Sequence, residues 1–120
     1  MAQVAITVNG SQPGNAFPPM ILGSSAAASG HDVILFFTPG GSPLMIKGEL
    51  EKIRDQHPKG MPDIVELYDG LCSLGAKMLV CELCLEAKDL KAEDMRKEVQ
   101  IVGATAFVSS LPDNTITFCF

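Results

Sequence analysis

Short apolar runs alternate with segments of helical pattern along this chain. Residues 4–10 (VAITVNG) are a β-branched run that closes on a glycine and predict a buried strand. Residues 17–30 (FPPMILGSSAAASG) predict a helix, with two prolines at its start, Ala and Leu in its body and Gly30 as its stop. Residues 31–43 (HDVILFFTPGGSP) predict a second strand running into a Gly/Pro loop, and 44–56 (LMIKGELEKIRDQ) a helix interrupted at Gly48. Residues 57–62 read as a loop. The clearest periodicity lies at 63–74. There Ile64, Val65, Leu67, Tyr68, Leu71, Cys72 and Leu74 share one helical face, and Gly75 ends the run. Residues 76–80 predict a third strand, 82–90 a helix, 91–97 a short helical turn and 99–103 a fourth strand. Residues 104–111 predict a short apolar helix and 115–120 a fifth strand.

The middle strands are apolar throughout rather than at alternate positions. That pattern marks a parallel sheet covered by helices on both faces. The expected fold class is therefore α/β: a single three-layer α/β/α domain over residues 1–120 with a mostly parallel five-stranded sheet. Repeats, low-complexity segments and linkers are not seen. Functional groups in such sheets gather beyond the carboxyl ends of the strands. Loops 9–15 (NGSQPGN), 38–43 (TPGGSP) and 81–84 (CELC) lie there, and all three should open on one edge.

Composition narrows the class further. The chain of 120 residues is 47% hydrophobic, enough for one core and suggestive of apolar surface covered by another subunit. A net charge of −5 argues against a nucleic-acid or anionic-membrane surface, both of which need clustered Lys and Arg. The first ten residues (MAQVAITVNG) lack a basic region followed by a cleavable apolar one, and no apolar run approaches a membrane span. The expected location is cytoplasmic, where four cysteines stay reduced unless they are working.

The candidate chemistry is Cys81 and Cys84, spaced Cys-x-x-Cys at a strand-to-helix junction. Free backbone N–H groups at a helix start stabilise a thiolate and can hold an anionic substrate. Glu82 and Glu86 oppose thiolate formation, while Lys77 and Lys88 flank the motif. Three duller readings compete. Both cysteines can be small core residues, since free cysteine is often buried. A structural zinc site needs two ligand pairs, and the remaining candidates, Cys72, Cys119, His31 and His57, do not pair at metal spacing. No bound metal is therefore expected, and Cys72 and Cys119 read as packing. A thioredoxin-type dithiol would come after an early strand with a proline opposite it, whereas this motif lies two-thirds along and the only later proline, Pro112, is in a turn. The glycine loops match neither the dinucleotide-binding nor the Walker pattern.

In order and spacing, several segments together resemble the DsrE/DsrF-like sulfur-transfer family. These are AITVNG, SGHDVILFFTPGG, AKMLVCELCLEAKDLKAEDM and VQIVGATAF. The resemblance covers nearly the whole chain. It implies a parallel-sheet α/β/α fold, homo-oligomers such as trimers or hexamers, and a cysteine that carries sulfur as a persulfide or thiosulfonate. The family's reactive cysteine corresponds to Cys81 and its second thiol to Cys84. The two-cysteine branch implies exchange with a TusA-like sulfur carrier or a rhodanese. The chemistry requires no metal and no organic cofactor, but it needs an exposed Cys81 with a partner surface around it. The alternative is a non-catalytic oligomeric interaction module with incidental cysteines. Alkylation of the native protein separates the two: a fast-reacting cysteine in the motif favours the carrier, and two protected ones favour the module.

Overall fold

The computed structural model describes residues 2–120. The strands β1 (Gln3–Val8), β2 (Asp32–Phe37), β3 (Lys77–Cys81), β4 (Val99–Val102) and β5 (Ile116–Cys119) form one sheet in the order β4-β3-β2-β1-β5. Every neighbouring pair is parallel. The connections carry helices α1 (Pro13–Ala28), α2 (Glu49–Asp55), α3 (Ile64–Ser73), α4 (Cys84–Ala87) and α5 (Ala104–Ser109).

Side chains alternate between the faces of a strand. Val4, Ile6, Val8, Leu35, Phe37, Met78 and Val80 meet Phe17 and Met20 of α1, Leu50 of α2, and Ile64, Tyr68 and Leu71 of α3. Ala5, Ile34, Phe36, Leu79 and Cys81 form a separate, smaller cluster with Phe107 of α5. The Phe107 ring stacks on Phe36 with centroids 4.4 Å apart. The chain steps from β1 to β4 with its long helices on one face, then returns across the sheet to β5 through α5 on the other. Right-handed crossovers require that change of face when the direction of travel reverses. Both faces therefore carry helices, which explains why the strands are apolar throughout.

Two helices differ from their sequence-based bounds. α1 begins at Pro13, four residues before the expected start, with Gln12 as its N-cap and Asn15 Oδ1 accepting from the Gln12 N–H at 3.3 Å. Pro18 and Pro19 lie inside it and give no N–H to the preceding turn. Burial of Ala16, Phe17, Pro19 and Met20 against the sheet offsets that loss. α4 covers four residues rather than the expected 82–90. Asp89 turns left-handed (φ 52°) and the Leu90 N–H bonds back to the Leu85 carbonyl, which closes the helix after one turn. The interruption foreseen at Gly48 is real: its φ of 89° separates a 3-10 turn at Ser42–Met45 from α2.

Gly40 and Gly41 bring the loop after β2 against the end of β1. A methyl group on Gly41 would collide with the Val8 carbonyl oxygen, and one on Gly40 with that of Asn9. Gly41 has an ordinary right-handed backbone (φ −92°), so only this close approach demands glycine. Gly41→Ala should cost roughly 1–3 kcal/mol of stability through the forced backbone shift. Urea denaturation checks this, and an unchanged midpoint would contradict it.

Candidate functional site

With every strand parallel, the loops at their carboxyl ends share one edge of the sheet, as the alternating pattern led us to expect. Thr38 Oγ1 donates to Asn9 Oδ1 at 2.9 Å, and the Thr38 N–H bonds the Val8 carbonyl. The Asn9 N–H bonds the Phe120 carbonyl at 2.7 Å, and the Glu82 N–H bonds the Val102 carbonyl at 2.9 Å. Loops 9–12 and 38–41 are thereby tied to each other, and 82–83 is tied to the end of β4 on the same edge.

The Cys-x-x-Cys stands on that edge. Cys81 is the last residue of β3 and Cys84 the first of α4. Both are free thiols; Cys84 is 0% exposed, and Cys81, expected to be exposed, is only 3% exposed. They also part company in packing. The strand's alternation sends Cys81 into the cluster with Leu79, Phe36 and Phe107. The turn at Glu82–Leu83 carries Cys84 into the main core, the cluster that also holds Met45 and Met95. Spacing alone gives neighbouring thiols; the strand-to-helix turn assigns them to different cores.

At Cys84 the balance of influences that the sequence leaves open falls against the thiolate. Burial pushes its thiol above the ordinary value. The Ser42 hydroxyl and a backbone N–H oppose the rise, while the nearby Cys81 adds to it. A four-residue helix offers little dipole, so desolvation prevails over the N–H groups at its start. Ser42 is a partner that the sequence reading missed. It is fully buried in the 3-10 turn after the glycine pair, with its Oγ donating to the Pro39 carbonyl at 2.8 Å.

The other two cysteines lie elsewhere. Cys119 is exposed on β5, its sulfur 2.7 Å from Thr7 Oγ1. Cys72 is half-buried on α3, with burial pushing its thiol up and the Tyr68 hydroxyl opposing. It lines a cavity of about 730 Å³ away from the rim, together with Glu51, Arg96 and Glu98. Arg96 Nη1 contacts the Glu51 carboxylate at 2.9 and 3.2 Å, and its guanidinium lies 4.5 Å over the Tyr68 ring. Tyr68 in turn donates to Glu98 at 2.9 Å. Burial alone would raise the Glu51 carboxyl, but its backbone hydrogen bond and Arg96 hold it below the ordinary value. Among the described residues no group of three or more His, Cys, Asp or Glu is placed to hold a metal ion. None of the described helices is long and apolar enough to cross a membrane.

Comparison with known proteins adds identity to this geometry. The uncharacterized protein MJ0760 of Methanocaldococcus jannaschii is 30% identical over 77 residues, 64% of this chain and 27% of that protein. The uncharacterized protein MJ0989 of the same organism is 34% identical over 68 residues, 54% of this chain and 59% of the relative. The matches span less than two thirds of either relative's length. The crystal structure of the ychN protein from E. coli shares the fold, with a TM-score of 0.74 at 19% identity, covering 98% of this chain and 100% of that one. A model of the DsrE/DsrF-like family matches residues 2–118, and the chain belongs to that family.

Proposed function

We propose that this protein is a cytoplasmic sulfur carrier or sulfurtransferase, folded as one domain, that holds sulfane sulfur on Cys81 and passes it to a partner protein thiol. Family membership suggests a function related to sulfur relay. The observation that carries the finer reading is the placement of two free thiols where β3 meets α4, on the edge where parallel sheets hold their sites.

The steps follow from thiol chemistry. The Cys81 thiolate attacks the outer sulfur of thiosulfate; a new S–S bond forms and sulfite leaves with the electron pair of the broken one. The persulfide then waits for an acceptor thiolate. That thiolate attacks the outer sulfur, the sulfur stays with the acceptor, and Cys81 leaves as thiolate. Neither step changes the overall redox balance or draws on a cofactor. Because Cys81 is enclosed beside Phe107 of α5, loading involves displacement of that helix. A six-residue helix anchored by one buried side chain, Phe107, is suited to that. Partners of the TusA-like or rhodanese type belong to this reading, as does a homo-oligomer, trimer or hexamer. Ile116 and Phe118 support the latter, exposed on the edge strand β5.

The enclosure of both thiols favours a second reading, a non-catalytic oligomeric interaction module on the same fold. Intact mass after incubation with thiosulfate, tetrathionate and polysulfide decides between them, alongside peptide-mapped alkylation. The carrier gains sulfur, and Cys81 labels ahead of Cys84, with exposed Cys119 labelling first of all. A protein that gains no sulfur and protects both motif thiols is the module.

A further inference from the structure

Between the two enclosed thiols stands a residue of opposite character. Leu83 is 64% exposed, against 3% for Cys81 and 0% for Cys84. It lines an open groove of about 520 Å³ with Pro39, Leu85 and Ala87, flanked by Glu82 and Glu86. The groove floor is apolar, and its only charged lining residues are those two glutamates. Leu83 lies two residues beyond Cys81 in the chain, so whatever covers it docks beside the strand end that would carry the sulfur.

We propose that this groove is the docking surface for the acceptor, a partner protein whose thiol sits on an apolar projection ringed by lysine or arginine. The proposal rests on the carrier reading and names the acceptor's chemistry. Charge complementarity selects that occupant. Glu82 and Glu86 favour cations at the rim, and a net charge of −5 strengthens the attraction at long range. A second copy docked about a twofold axis would set these glutamates against themselves. Leu83 and Leu85 supply the apolar anchor that such interfaces place inside a charged ring. An anionic small thiol is disfavoured by the same field.

The transfer is the one already described: the acceptor thiolate attacks the outer sulfur of the persulfide, the S–S bond breaks, and Cys81 leaves as thiolate. Docking adds position and opens no new redox step.

Two synthetic peptides test this. One has a single cysteine among leucines and lysines; in the other, glutamates replace the lysines. Discharge of the sulfur-loaded protein, its load confirmed by intact mass, should be at least roughly tenfold faster with the lysine peptide at low salt. The gap should narrow as salt rises. Leu83→Ser should slow discharge to the lysine peptide by roughly 30-fold, and Glu82→Gln with Glu86→Gln should erase the preference. Equal rates with both peptides would overturn the docking proposal while leaving the carrier standing. A protein that never loads sulfur, yet binds the serine form of the lysine peptide at Leu83 by NMR, would keep the surface and overturn the carrier. A wild-type oligomer that falls apart in Leu83→Ser would assign the groove to a second copy and overturn the proposal.

Discussion

Tyr68→Ala should lower stability by about 3–5 kcal/mol, the range for removing a fully buried aromatic ring. That is a large part of the 5–15 kcal/mol typical of a domain, and the thermal midpoint should drop on the order of 10–20 °C. Tyr68 is fully enclosed in the main core between α3 and the sheet. Its ring face also carries Arg96, whose side chain is 13% exposed and whose Nε is enclosed without a partner. Removing the ring leaves a cavity and strips the guanidinium of its aromatic neighbour. Tyr68→Phe keeps the ring and the stack and loses only the hydrogen bond to Glu98, so it should cost about 1 kcal/mol. Calorimetry or urea denaturation of both variants separates the contributions. An alanine variant no weaker than the phenylalanine one would show that the ring is not holding this core.

The architecture was legible because burial on both faces writes itself along every central strand. VILFF and MLV are apolar without alternation, and the parallel pairing of β2 with β3 follows. α3 was legible through its period, and Asp63 caps it by accepting from the Val65 and Glu66 N–H groups. Leu74, placed on the same face by spacing, is 61% exposed, because it caps the helix after the buried face has ended. Pro18 and Pro19 resemble helix openers and so shift the predicted start of α1, while the cap is built by Gln12, Pro13 and Asn15. Glu, Leu, Ala and Lys favour helix locally and so extend the predicted α4 to 90; nothing local announces that Asp89 turns left-handed.

At the site, sequence located the motif, its place after a strand and its edge of the sheet. It did not reveal enclosure, which depends on α5 closing over Cys81 from residues more than twenty positions away. Nor did it reveal Ser42 beside Cys84, or the Arg96–Tyr68–Glu98 arrangement, whose members meet only after the chain has crossed the sheet. One signal was there to be used: the only tyrosine of the chain sits on an otherwise aliphatic helix face, and a buried hydroxyl needs a partner.

The central claim is that sulfur resides on Cys81, with Cys84 acting on its release. Cys81 ends the strand at the rim, whereas Cys84 is sealed in the main core with its thiol pushed up by burial. The most direct measurement is intact mass after polysulfide exposure of three proteins, each also carrying Cys72→Ala and Cys119→Ser to silence the other thiols. These are the otherwise wild-type chain, Cys81→Ser and Cys84→Ser. The account predicts that the first gains sulfur, that Cys84→Ser gains it too but releases it at an altered rate, and that Cys81→Ser gains none. Sulfur on Cys81→Ser at the level of the parent would contradict it.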